Sequence, residues 1–244
     1  MKFAQEKLLH IDLETGGLDP NTNAITQLAA AIEIDGEVVG RFGSYIQPPP
    51  GLTITEEAIK ITRINVNRLH EYPTEKDVFS AFLSFLACYI NKYDKNDKAI
   101  MAGYNVKFDD EFLRVCCDRV GEKYFGSFKW ADIYDSRGAA ALFCRKVRHL
   151  LPNFKLETVG AFLLQESNEP TQIDAIIAEE LSLPSATCHD ARIDTEIHRQ
   201  IFGLVRWGGD ITSVLSAGEI EKRAARECLR VSNEELLNNN GTKA

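Results

Sequence analysis

With 244 residues the chain can bury one sizeable core but not two large ones, so a single domain over residues 1–208 is expected, followed by an extension over 209–244. At 44% hydrophobic and 26% charged residues, the composition excludes a mostly disordered protein. A net charge of -8 and a pI near 5.2 argue against coating a polyanion through bulk positive charge, although a carboxylate cluster filled by divalent cations can still draw in phosphate locally.

The start, Met1 to Lys7, lacks the apolar core of a signal peptide. Residues 8–14 of Leu8-Leu9-His10-Ile11-Asp12-Leu13-Glu14-Thr15-Gly16-Gly17-Leu18 read as a strand closed by a glycine pair. After the turn cluster Leu18-Asp19-Pro20-Asn21, Ile25 to Ile34 is a largely apolar strand, and Asp35-Gly36 makes a tight hairpin into a third, Val38 to Ile46. Pro48-Pro49-Pro50-Gly51 breaks the sheet, and Thr55 to Lys60 begins a short helix. Phe79, Phe82, Leu83, Leu86 and Ile90 recur at helical spacing after Pro73-Thr74-Glu75. The longest uncharged apolar run, Val78 to Ile90, has 13 residues, too few to cross a bilayer as a helix. A soluble, cytoplasmic protein with no membrane partner is expected.

Strand then alternates with helix. Ala99 to Tyr104 is a buried strand leading into a helix from Asn105 to about Val120, and Phe128 to Ile133 is a fifth strand. Tyr134 to Cys144 and Leu156 to Leu164 read as helices, and Gln165 to Thr187, with two prolines, is the least regular stretch. The last strong element, Ala191 to Leu204, carries Ile193, Ile197, Ile201 and Leu204 on one face. Beyond Gly208, Ser216-Ala217-Gly218-Glu219 has the form of a capping box. Ile220, Ala224, Cys228 and Val231 then make a narrow stripe on a charged helix, which packs on the parent domain or on a partner. The parent is favoured, because a lone stripe of this size usually covers a local core. Asn238-Asn239-Asn240-Gly241 reads as a disordered tail.

Six cysteines show no CxxC pairing, so small buried thiols are expected rather than a zinc site or a disulfide framework. Asp12 and Glu14 are two apart, which on a strand puts both on one face. Such a pair repels unless a cation lies between, yet acids at a strand's solvent end are also commonplace.

Two further stretches bear on that choice. Asp12-Leu13-Glu14-Thr15, Asn105-Val106-Lys107-Phe108-Asp109 and His189-Asp190-Ala191-Arg192-Ile193-Asp194 together resemble the three exonuclease motifs of the DEDD superfamily, in its histidine-containing branch. That branch includes the proofreading epsilon subunit of bacterial DNA polymerase III, RNase T and oligoribonuclease. The resemblance covers roughly residues 8–204, with echoes at Ala58-Ile59-Lys60-Ile61-Thr62, Asp132-Ile133 and Lys155-Leu156. It implies a ribonuclease H-like α/β fold: a five-stranded mixed sheet, the first three strands antiparallel, helices on both faces, and the site at the ends of the central strands.

By the same resemblance Asp12, Glu14, Asp109 and Asp194 hold two divalent cations, Mg²⁺ or Mn²⁺, and His189 is the general base. The chemistry agrees: phosphodiester hydrolysis needs an activated water and a stabilised leaving oxygen, two cations about 4 Å apart supply both, and such cations take oxygen ligands. His189 and Asp194 stand five apart, about 140° around a continuous helix. His189 therefore belongs in the loop before the helix, with Asp190 as N-cap, where its imidazole can take a proton from the attacking water. In the family pattern the acid follows Phe directly, which selects Asp109 over Asp110, and the last acid stands five after the histidine, which selects Asp194 over Asp190. With water as nucleophile, Cys188 has no chemistry to perform.

The resemblance further implies substrate contacts from the backbone around Thr15, Gly16 and Gly17 and from the Leu18 side chain, with Asn105 and Phe108 lining the same pocket. Arg63 stands where relatives commonly have glycine and either reaches a phosphate or is solvated. Arg145-Lys146-Val147-Arg148-His149, the only dense basic cluster, either tracks a nucleic-acid backbone or ends a helix in solvent. The expected activity is 3′-to-5′ hydrolysis of single-stranded DNA ends, releasing nucleoside 5′-monophosphates as in proofreading or repair. Trimming of short RNA is the alternative, decided by whether the pocket accepts a 2′-hydroxyl. A polymerase-associated subunit docking through residues beyond 208 is a reading of another class, and a homodimer stays open. Glu180-Leu181-Ser182-Leu183-Pro184 faintly resembles a sliding-clamp-binding peptide but lacks its leading glutamine.

Overall fold

The computed structural model describes residues 5–164, 189–206 and 208–240. Asp35 and Gly36 both take positive φ, 52° and 92°, the turn geometry whose twist matches a tight hairpin. This turn joins β2 (Ile25–Ile34) to β3 (Glu37–Tyr45), and β2 pairs antiparallel on its other side with β1 (Lys7–Thr15). Beyond β1, β4 (Ala99–Gly103) and β5 (Lys129–Asp135) continue the sheet in parallel, in the order β3-β2-β1-β4-β5. The expected five-stranded mixed sheet is the one observed.

Short helices bring the chain from β3 to β4. Thr55 caps α1 (Glu56–Thr62) and Thr74 caps α2 (Glu75–Ala87), each hydroxyl accepting a backbone N–H three residues on. A 3-10 helix at Val66–Glu71, not anticipated from the sequence, lies between them. The next helix, α3 (Lys107–Val120), starts two residues later than expected because Asn105 turns the chain with φ 65°. Likewise β5 runs to Asp135, whose carboxylate caps α4 (Ser136–Phe143) by accepting from the Arg137 N–H. α5 (Leu156–Leu164) falls where the sequence puts it, as does α6 (Ala191–Val205), and α7 (Ala217–Asn240) completes the described chain.

Both faces of central β1 are covered, which explains its continuous apolar run. Leu9, Ile11 and Leu13 join Phe79, Phe82 and Phe112 in a core beneath α2 and α3. On the opposite face His10, Asp12 and Glu14 meet α6; Ala31, Ala29 and Gln27 of β2 stand beside them in register, and the two alanines leave room for the helix. A second core joins α4, α5, α6 and α7 through residues such as Phe143, Phe162 and Ile201.

Ile220 and Ala224 of the extension are buried in that second core, and Arg223 donates to the carbonyls of Phe162 and Leu163 at the end of α5. The stripe thus packs on its own domain, while Cys228 is exposed. α7 continues to Asn240, through three residues of the stretch read as a tail. The Gln165–Thr187 stretch, Cys188 and the clamp-like 180–184 peptide lie outside the described residues. Cys116, Cys117 and Cys144 are buried thiols as anticipated, Cys88 is exposed, and burial pushes Cys117 up to about 12 and Cys144 to about 11. Among the described residues no helix is long and apolar enough to cross a membrane.

Candidate active site

The period-two geometry of β1 delivers Asp12 and Glu14 side by side to the α6 face, where the first turn of α6 presents Asp194. One carboxylate oxygen from each of the three lies within 4.8 Å of the others. Asp109 comes from the first turn of α3. β4 pairs with β1 only as far as His10 and Ala102, so the Leu13 N–H further along finds no strand partner on that side; Asp109 Oδ1 accepts it at 3.0 Å. That bond ties the fourth acid to the strand bearing the first two.

Burial, with repulsion from neighbouring acids, raises all four. Asp12 is held well above the usual carboxylate range by burial and then by Asp109, Asp194 and Glu14. Burial, followed by Asp194 and Asp190, pushes Glu14 up to about 9. Asp109 rises to about 8, chiefly through burial and against the stabilising Leu13 N–H, and Asp194 to about 7 through burial and Glu157. Every donor is a carboxylate oxygen crowded among like charges, a set that fits hard divalent cations such as Mg²⁺ or Mn²⁺.

The neighbouring acids have other partners. Asp110 lies 3.1 Å from Lys129 Nζ and 2.7 Å from Arg114 Nε. Asp190 caps α6 by accepting the Arg192 N–H, and the Arg192 guanidinium chelates its carboxylate, holding it below the usual range against the cost of burial. His189 sits just before this cap with φ 70°, a left-handed conformation rare outside glycine, and its backbone N–H donates toward Asp194. It is in the loop, as its spacing from Asp194 requires.

His189 and Glu14 border a cavity of about 190 Å³ whose wall includes Tyr45, Thr62, Arg63, Asn65 and Tyr72. Tyr45 and Tyr72 stack on each other with ring centres 4.9 Å apart. Arg63 ends α1 in the left-handed region, φ 53°, and is exposed. A larger hollow of about 330 Å³ between α2 and the end of α3 shares no lining residue with this one.

Gly16 is required by packing: a Cβ there would come within 2.4 Å of the Thr53 carbonyl. Thr15 Oγ1 donates to the Gly17 carbonyl, and Leu18 stands 86% exposed beyond it. Asn105 is exposed, its N–H donating to Asp135, while Phe108 is half-buried with its ring tilted against that of Phe112. The basic cluster is largely engaged at home: Arg145 and Lys146 pair with Asp210, and Arg148 lies over the Phe154 ring at 4.2 Å.

Several residues at the site carried no sequence signal. Gln27, 2% exposed, faces Glu14 in the register, and Tyr45 and Tyr72 line the cavity from segments between the motifs. His10, in line with Asp12 on β1, meets His198 of α6 with ring centres 5.4 Å apart; both are fully buried, and burial lowers both pKa values, opposed at His10 by the Glu33 carboxylate 3.3 Å away.

A central strand with paired acids, flanked by acids at two helix starts, is the arrangement of ribonuclease H-like nucleases. The chain belongs to the RNase T exonuclease family, whose sequence model, described as "Exonuclease", matches residues 9–202. Among curated relatives it is 34% identical over 119 residues to the DNA polymerase III PolC-type of Lacticaseibacillus paracasei, covering 49% of this chain and 7% of that protein. It is 30% identical over 119 residues to the Ribonuclease T of Photorhabdus laumondii, covering 46% of this chain and 54% of the relative. The structure of an E. coli exonuclease I complex with single-stranded DNA superposes with a TM-score of 0.61 at 22% identity, over 84% of this chain and 41% of that one. The chain therefore spans about half, or much less, of the proteins it matches.

Proposed function

We propose that this chain is a 3′-to-5′ exonuclease that removes nucleoside 5′-monophosphates from single-stranded DNA ends. The observation that carries the reading is the convergence of Asp12, Glu14 and Asp194 within 4.8 Å, with Asp109 bonded to the same strand and His189 on the adjoining cavity. Two Mg²⁺ or Mn²⁺ ions held by these acids would supply Lewis acidity at the attacking and leaving oxygens.

His189 accepts the proton of the attacking water, its imidazole having a reference pKa of about 6.5. The backbone at Thr15, Gly16 and Gly17 and the Leu18 side chain meet the terminal nucleotide, and Asn105 and Phe108 line the same pocket. The Tyr45–Tyr72 pair offers an aromatic wall beside them.

The DNA polymerase and exonuclease I likenesses support DNA as the polymer. The Ribonuclease T likeness supports a second reading, in which the same chemistry trims short RNA. The PolC likeness is also compatible with work beside a polymerase, though Ile220 and Ala224, the apolar residues that would have served such docking, are covered by the chain's own second core. The test is degradation of matched 5′-labelled single-stranded DNA and RNA with Mg²⁺ and then Mn²⁺, with Asp12→Ala as control. Shortening from the 3′ end that the substitution abolishes supports the reading, and the faster polymer identifies the substrate. No cleavage of either polymer overturns it.

A further inference from the structure

Gln27 lies on β2 directly opposite Glu14 and uses both ends of its amide. Nε2 donates to Asp190 Oδ1 at 2.9 Å, and Oε1 accepts from the Ala191 N–H at 3.0 Å. These bonds grip the two residues that follow His189. Asp190 is fixed from other sides as well, by the Arg192 guanidinium and, at 3.5 Å, by the Tyr45 hydroxyl. Gly43 of β3 makes room for this arrangement, since a Cβ there would come within 2.9 Å of Arg192 Cδ.

His189 holds φ 70°, a conformation that costs a residue other than glycine roughly 1–2 kcal/mol. It persists only where the surroundings over-determine it. The geometry points to Gln27 as a positioning residue for His189, clamping the start of α6 and with it the place of His189 on the cavity it borders with Glu14. This rests on the reading of His189 as general base. Only an amide of this length meets the requirement: glutamate would set a carboxylate against Asp190, methionine would leave the buried Ala191 N–H unpaired, and asparagine would fall one carbon short.

Displacing a catalytic group by about 1 Å costs about 100-fold in rate, within the range of about 100- to 10,000-fold attributed to general-base catalysis. In the full chain with Mn²⁺ and 5′-labelled single-stranded DNA, Gln27→Glu should lower kcat about 10- to 100-fold. In the charge-neutral Gln27→Asn, KM and the Mn²⁺ dissociation constant should stay within about twofold, whereas Gln27→Glu sets a second carboxylate opposite Glu14 and is read on kcat at saturating Mn²⁺. In a His189→Ala background Gln27→Glu should cost less than about twofold more.

Wild-type kcat in Gln27→Glu, or an undiminished loss when His189 is absent, would each overturn the clamp. If Gln27→Glu does not fold, Gln27→Asn, which keeps the amide but withdraws it, carries the same comparison. Full activity in His189→Ala would instead overturn the general-base reading itself.

Discussion

Raising the pH should weaken the metal-free protein, and divalent cations should reverse the effect. Glu14 is pushed up to about 9, Asp109 to about 8 and Asp194 to about 7, with Asp12 raised too, whereas in an unfolded chain such groups titrate near 4. Carboxyls raised in the folded state keep protons that the unfolded chain has released. Their stabilising contribution is complete below about pH 4 and is lost as pH climbs through 7 to 9. The four acids titrate together, so the proton count belongs to the cluster. If two extra protons are held near pH 7, stability falls by about 3 kcal/mol per pH unit there, or roughly 6–12 °C in Tm for a domain of this size.

Buried His10 and His198, whose pKa values are lowered, act in the opposite sense, adding stability as pH rises toward the free-imidazole value of about 6.5, so the window to examine is pH 7 to 9. Thermal unfolding in EDTA should show Tm falling across that window, with Mg²⁺ restoring it most at the upper end. Calorimetric Mn²⁺ titrations at pH 7, in two buffers of different ionisation enthalpy, should report release of about two protons. A flat or rising Tm in EDTA, or release of less than one proton, would refute the picture of four acids awaiting a cation.

Asp194→Asn should raise the Tm of the EDTA-treated protein at pH 8 by about 2–4 °C for each kcal/mol of repulsion relieved, while cutting nuclease rate at least about 100-fold; a lower Tm would mean that the carboxylate is not under strain. Arg63→Gly should release the cost of φ 53°, about 1 kcal/mol less glycine's own entropy, and should reduce the salt slope of single-strand binding by about 0.7, an unchanged slope placing the guanidinium in solvent. Ile220→Ala should cost about 2–5 kcal/mol in the isolated chain, read as a lower urea midpoint, with kcat at 25 °C unchanged in the folded fraction. An unchanged midpoint would return the α7 stripe to a role in docking.

What could be read from the chain alone followed local rules. Asp12 and Glu14 are two apart on a strand, and Asp190 stands where a cap must, so the loop position of His189 followed from arithmetic on the helix. Arg63 and Asn105 were singled out, but not their left-handed backbone, which neighbours impose rather than side-chain type. Gln27 was invisible for a different reason: its partners are 163 and 164 residues away, and a glutamine inside an apolar strand carries no periodicity. The His10–His198 contact has the same origin. The basic cluster at 145–149 was ambiguous because its counter-charge, Asp210, lies in a loop more than sixty residues later. Charge density is local in sequence, whereas neutralisation is not.

The acids that meet at the end of β1 come from residues 12 to 194, and the last of them rides on a helix tied back to β2 across most of the chain. Contacts of such long range carry a large loop-closure cost that must be met before they form. A nascent chain leaving the ribosome would expose Asp12 and Glu14 early and yet lack Asp194 beside them until α6 had docked. Local opening of α6 in the mature protein would disarm it in the same way, reversibly. The acid cluster is therefore complete only while α6 is docked on the sheet.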